Sequence, residues 1–100
     1  MQPTRIDLET VRADWAAQGF SMEVWIDPPS QVWRDFHHDV DAIVLLVVGE
    51  SVIEVQGRTV RMLPGDEQMI PAGVRHTVRN CGTGPARWLH GFREPPPALG

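Results

Sequence analysis

Few side chains in this chain are equipped for chemistry, and four of them are imidazoles: His37, His38, His76 and His90. A neutral imidazole offers a free ring nitrogen near physiological pH, so it can carry a proton, accept a hydrogen bond or ligate a metal. His76 has the most informative surroundings. The segment Gly65 to Asn80 reads GDEQMIPAGVRHTVRN, with Gly65, Pro71, Gly73, His76 and Asn80 in a spaced series. Gly65 permits a tight turn into a strand, and Pro71 with Gly73 makes the corner that leaves it. His76 opens the next strand on the face that looks into a barrel, and Asn80 ends that strand on the same face. His90 shares strand parity with Trp88 and Phe92. It either points into the barrel beside His76 or is a hydrogen-bonded core residue. Alternation turns His37 and Asp41 to the opposite face, unless a bulge shifts the register.

Other reactive groups have weaker contexts. Ser21, Ser30 and Ser51 lie in no glycine-flanked nucleophile elbow, and no glycine loop is built to cradle phosphate. Cys81 sits in the turn-like run from Asn80 to Pro85 and reads as a small loop filler. As the only cysteine it excludes an internal disulfide and a cysteine-based zinc framework. Four tryptophans raise the thought of a stacking platform for carbohydrate or bases. Trp25 and Trp33, however, are out of register with the residues expected to face inward. They read as a subunit interface or a lid on the core.

The elements that must position these groups are mostly strands. Leu8, Val11 and Trp15 recur at helical spacing within residues 7–17, with acidic residues in the first turn and Gly19 beyond the end. From Phe20 to Ile26 the period becomes two, and Asp27 to Ser30 is a turn. Residues 31–38 are extended. Ala42 to Val48 is apolar on both faces, as expected of a strand covered on both sides by the core and by a second sheet or subunit. Further short strands are expected over 51–55, 59–63, 67–70, 76–79 and 86–92, with turns at Gln56-Gly57-Arg58 and Pro64-Gly65-Asp66. This pattern reads as an all-β sandwich or closed barrel. It divides into an N-terminal helical segment (residues 1–19), a barrel (20–93) and a proline-rich tail (94–100) that cannot join a sheet.

The series Gly65, Pro71, Gly73, His76 and Asn80 resembles the second sequence motif of the cupin superfamily, G-x5-P-x-G-x2-H-x3-N, at every fixed position. The first cupin motif, G-x5-H-x-H-x3,4-E-x6-G, is eroded. Its last glycine falls on Gly49, its glutamate on Ala42, its paired histidines on Phe36 and His38, and its opening glycine on Ser30. The resemblance spans roughly residues 20–92. The stretches Trp33 to Asp41 and Ala86 to Phe92 also look like small stand-alone cupins. The fold it implies is an antiparallel cupin barrel of jelly-roll type, a double-stranded β-helix, with a short N-terminal helix. In metal-binding cupins two histidines and a glutamate of the first motif join the histidine of the second around one divalent ion. Carried over, that leaves His38 and His76, with His90 as a third candidate ligand. Phe36, Ala42, Val78 and Trp88 are expected pocket residues. Nickel, zinc, manganese and iron are all chemically admissible.

Composition narrows the function. The chain has 100 residues, 42% of them hydrophobic, and a formal charge of −4. All nine basic residues are arginines scattered among carboxylates, so nothing suggests binding to nucleic acid or an anionic membrane. No apolar run has the length of a membrane span, and a cytoplasmic location is expected. A homodimer is expected too, because Ile43, Leu45 and Val47 would present an apolar outer face. Two functions fit: a metal-dependent enzyme of oxygenase or isomerase type on a small organic substrate, or a metal-free barrel that binds a small ligand as sensor or carrier.

Overall fold

The computed structural model describes residues 6–93; the first five residues and the proline-rich tail lie outside them. One helix, α1 (Leu8–Ala17), precedes eight strands. These are β1 (Glu23–Asp27), β2 (Val32–Phe36), β3 (Ala42–Val48), β4 (Ser51–Val55), β5 (Arg58–Met62), β6 (Glu67–Ile70), β7 (His76–Asn80) and β8 (Ala86–Phe92). They form two four-stranded sheets, in the orders β1-β8-β3-β6 and β2-β7-β4-β5. Every strand pairing is antiparallel.

Two apolar clusters explain why β3 is hydrophobic throughout. Ala42, Val44 and Leu46 point between the sheets and pack with Ile53, Val55, Met62, Ile70 and Trp88. Ile43 and Leu45 point the other way and are buried with Trp15, Phe20 and Leu89. The outer face of β3 is therefore covered by the chain's own N-terminal segment, where a second sheet or subunit was expected. Val47 packs against the same cluster. Asp7 caps α1 by accepting from the Glu9 and Thr10 backbone N–H groups at 3.0 and 3.4 Å. Trp15 Nε1 donates to Glu67 Oε1 at 2.8 Å, which ties the helix to the sheet it covers.

Two strand expectations need correction. The first strand begins at Glu23, not Phe20, whose only pairing is an isolated bridge to Arg93. Within β1 the inward residues are Trp25 and Asp27, while Val24 and Ile26 are 52% and 59% exposed. The alternation is real, but the inward set is not the expected one, because Trp25 is the larger hydrophobe and buried Asp27 accepts a hydrogen bond from Trp33 Nε1. Val48 is exposed rather than inward, because the β3–β8 register shifts after Leu46.

The second-motif residues do the jobs their types suggest. Gly65 and Gly73 lie at φ 96° and 77°, the left-handed region that favours glycine. Asn80 Nδ2 donates to the carbonyls of Asp27, Pro28 and Gly84, and its Oδ1 accepts from Gly82 N–H. One buried side chain thus holds the loops at the closed end of the sandwich.

Candidate functional site

His76 is placed by the corner that precedes it. It is the first residue of β7 and is buried. Its Nδ1 lies 3.2 Å from the Val74 carbonyl, which can only accept, so Nδ1 is the donor and Nε2 is the nitrogen left with a lone pair in the neutral ring. His38 follows β2, and its carbonyl accepts from the Gly73 N–H at 2.8 Å, which links it to the same corner. The His38 and His76 ring centres are 5.3 Å apart. His90 enters from β8 and lies 5.7 Å from His38, edge to face. All three histidines line one cavity of about 40 Å³ between the sheets, partly open to solvent.

The remaining walls are aromatic and aliphatic apart from Asp27. Trp25, Trp33, Phe36 and Trp88 line the cavity, with Val44, Ile53, Ile70 and Val78. Trp25 lies flat on His90 at 4.2 Å with 17° between planes, and its Nε1 donates to Glu23 Oε2 at 3.1 Å. Trp33 Nε1 donates to buried Asp27 at 3.1 Å. No arginine is among the lining residues, so the site has little to offer a strongly anionic group.

Two of the three imidazoles, His90 and His38, hold a proton less readily than an ordinary histidine. Burial pushes His90 down to about 4, with the neighbouring His38 and His76 adding repulsion against a second charge. Burial also lowers His38, followed by repulsion from His76 and His37, against a weaker opposing pull from Asp39. Two side-chain nitrogens in this region have no hydrogen-bond partner and no contact with solvent: Trp88 Nε1 and His90 Nδ1.

His38, His76, His90, Phe36, Val78 and Trp88 are all brought to the cavity. Ala42 is not among the lining residues. It sits fully buried in the inner cluster opposite Ile70 and Phe92, because those larger side chains close that end. His37 is exposed, and Asp41 staples the surface, accepting from Ala72 N–H at 2.8 Å and Arg93 Nε at 3.1 Å. Those hydrogen bonds to Ala72 and Arg93 keep the Asp41 carboxyl below its ordinary range. Sequence reasoning missed Trp25, Trp33 and Asp27 as cavity residues. The available signal was Trp25 alone, a large hydrophobe on the alternate set of β1 between Glu23 and Asp27.

The donors fit a divalent ion only in part. Two imidazoles sharing one ion at ordinary bond lengths have ring centres up to about 6 Å apart, which the His38–His76 pair satisfies. His76, with Nδ1 bound to a carbonyl, also has the tautomer of a ligating histidine. Yet among the described residues no group of three or more His, Cys, Asp or Glu is gathered to hold a metal. A pair of neutral donors without a carboxylate is short of a firm site.

The chain matches the family described as Cupin domain over residues 23–92. It is 31% identical over 72 residues to the tetracenomycin polyketide synthase protein TcmJ of Streptomyces glaucescens, covering 72% of this chain. The chain spans about half of that relative, 48% of its length. Among solved structures, a salicylate 1,2-dioxygenase from Pseudaminobacter salicylatoxidans superposes with a TM-score of 0.69 at 25% identity, covering 75% of this chain and 22% of that one. A sugar phosphate isomerase of the cupin superfamily from Silicibacter pomeroyi gives 0.65 at 26% identity, covering 78% and 52%. No helix among the described residues is long and apolar enough to cross a membrane.

Proposed function

The chain belongs to the cupin domain family, and on that premise we propose that it binds a small planar, largely apolar organic molecule carrying an oxygen function. The observation that carries this reading is the lining of the cavity: four aromatic rings and three imidazoles, with no arginine among them. Flat rings are held by stacking on indole and phenyl faces, and neutral imidazoles receive a hydroxyl or carbonyl without demanding a full charge. His76 Nε2, the lone-pair nitrogen of the neutral ring when Nδ1 donates to Val74, is the group suited to take a proton from a phenol or an enol. Two of the relatives point the same way by name, one a polyketide synthase protein and the other acting on salicylate. A sugar phosphate is a poor match, since a phosphate calls for cations or clustered N–H donors that this lining lacks.

The pairing of His38 and His76 favours a second reading, in which a nickel, zinc, manganese or iron ion is held by these two residues and completed by water or ligand oxygen. Such an ion would act as a Lewis acid on the bound oxygen, as in an oxygenase or isomerase.

Calorimetric titration of salicylate, 1-naphthol and ribose 5-phosphate into untagged protein separates these readings. Binding of the aromatic compounds in the presence of chelator, without binding of the sugar phosphate, is expected. Aromatic binding only after a divalent ion is added would move the weight to the second reading. Binding of the sugar phosphate alone would overturn both.

A further inference from the structure

Asp27 lines the cavity, and the reading above leaves it unused. It is 5% exposed, and among the described residues no arginine stands within ion-pair distance of it. The sequence has no lysine. The hydrogen bond that its carboxylate takes comes from Trp33 Nε1, on Oδ1. An indole N–H is a neutral donor, so that bond fixes the group without balancing its charge. Carboxylates buried this deeply are ordinarily paired with a cation. Oδ2 takes no such bond and is left to the cavity.

The residue is also held in place. Asn80 Nδ2 donates to its carbonyl at 3.3 Å and Trp33 holds its side chain, so the acceptor is set before anything binds. Across the β1–β8 pairing stands Ala86, whose methyl group takes little of the space that a larger partner would fill. The rings of Trp25, Trp33, Phe36 and Trp88 belong to the same lining. Aromatic walls attract a cation and give an anion nothing. Along the same pairing His90 stands opposite Glu23, four residues from Asp27, so the carboxylate and the histidines mark opposite ends of the cavity.

We infer that Asp27 is a subsite for a protonated primary amine on the ligand of this cavity. The missing counter-charge arrives with the ligand, as an ammonium group that donates to Oδ2. The inference rests on the small-molecule reading of the cavity and extends it to the far end of the ligand. The class it selects is a phenolic amine, with the hydroxyl turned to His76 and the ammonium to Asp27, over the same phenol without nitrogen.

Tyramine and 4-ethylphenol differ by that amino group, and methylammonium carries the cation without the ring. Calorimetric titration of the untagged natural protein in chelator should show tyramine binding at least about tenfold tighter than 4-ethylphenol, since a charge-assisted hydrogen bond is added. In Asp27→Asn the two should bind alike. The asparagine carbonyl can still accept from Trp33, so the variant keeps the local bond. The Trp33 indole N–H signal of the 15N-labelled natural protein, identified with Trp33→Phe, gives a readout that needs no change at Asp27. Tyramine and methylammonium should both move it, because its acceptor gains a cation. Equal binding of tyramine and 4-ethylphenol, with a Trp33 signal that methylammonium leaves in place, would overturn the subsite and leave the planar-ligand reading standing. Methylammonium moving the signal while neither phenol binds would do the reverse. A preference for tyramine that persists in Asp27→Asn would put the ammonium elsewhere and also overturn the inference.

Discussion

At the scale of single residues, His90 is the group whose environment has the clearest consequence. Folding lowers its pKa from the ordinary histidine value of 6.5 to about 4, chiefly by burial. The unfolded chain therefore takes up a proton on this side chain at a pH where the folded chain refuses it. Stability is then independent of His90 above about pH 6.5 and falls as pH drops towards 4, by at most about 3 kcal/mol. His38 contributes in the same direction. The carboxyl of Asp41 acts in the same sense, since its lowered pKa stabilises the fold until the pH falls through the carboxylate range. Its loss lies below the histidine window. Melting temperatures between pH 7 and pH 4.5 should drop for the natural protein and drop less for His90→Gln; identical slopes would mean His90 is solvated. Much of this site was legible in the sequence. His76 and His38 were placed by motif spacing, strand parity left His90 between the barrel interior and the core, and all three line one cavity. The position of Ala42 was not legible, because parity gives the face of a strand but not which neighbours close over it.

At the scale of elements, the helix was readable because Leu8, Val11 and Trp15 recur at helical spacing and Asp7 is a good cap. Its task was not readable. Spacing shows that a helix has an apolar side, but it does not show what that side covers, and the outer face of β3 was assigned to another subunit. Trp15 is in fact the buried centre of the outer cluster, against Ile43, Leu45 and Leu89. Trp15→Ala should cost about 3–5 kcal/mol and lower the melting temperature by at least about 10 °C. Trp15→Phe keeps most of the contact and loses the bond to Glu67, so its cost should be near 1 kcal/mol. Gly91 is the partner feature on β8. A Cβ there would collide with the Ser21 carbonyl and approach the Trp15 ring at 2.9 Å, so Gly91→Ala should separate the helix from the sheet. If thermal unfolding of Trp15→Ala matched the natural chain, α1 would not belong to the cooperative unit. The misread register of β1 has a related cause. Both of its faces carry hydrophobes, so alternation alone could not say which set was inside.

At the scale of the whole molecule, the expected two-fold dimer needs a different surface. Ile43 and Leu45, which were to form it, are covered by the helix within one chain. What stays exposed is the outward side of β1, where Val24 and Ile26 are 52% and 59% accessible. Ile26 and Val48 both lie opposite the exposed Arg87, one on either side of β8, so apolar positions on two strands flank that charge. Among the described residues β1 also ends its sheet, pairing only with β8, so its outer edge carries backbone groups able to pair with another strand. Natural edge strands are commonly guarded by outward charges. Here the acidic residues of β1 are engaged elsewhere, Glu23 with Trp25 and Asp27 with Trp33, and the outward positions are apolar. We therefore propose that a second copy of the chain covers β1, burying Val24, Ile26 and Val48. Two or three side chains fall short of the roughly 800 Å² per partner of a standard interface, so the free edge of β1 must contribute as well. Light scattering at roughly tens of micromolar, well above the dissociation constant of a specific dimer, should give the mass of two chains. Ile26→Lys should reduce it to one chain without lowering the melting temperature of the monomer, since Ile26 contributes to neither buried cluster. A monomeric natural protein at that concentration would refute the dimer, and a dimer indifferent to Ile26→Lys would place the interface away from β1.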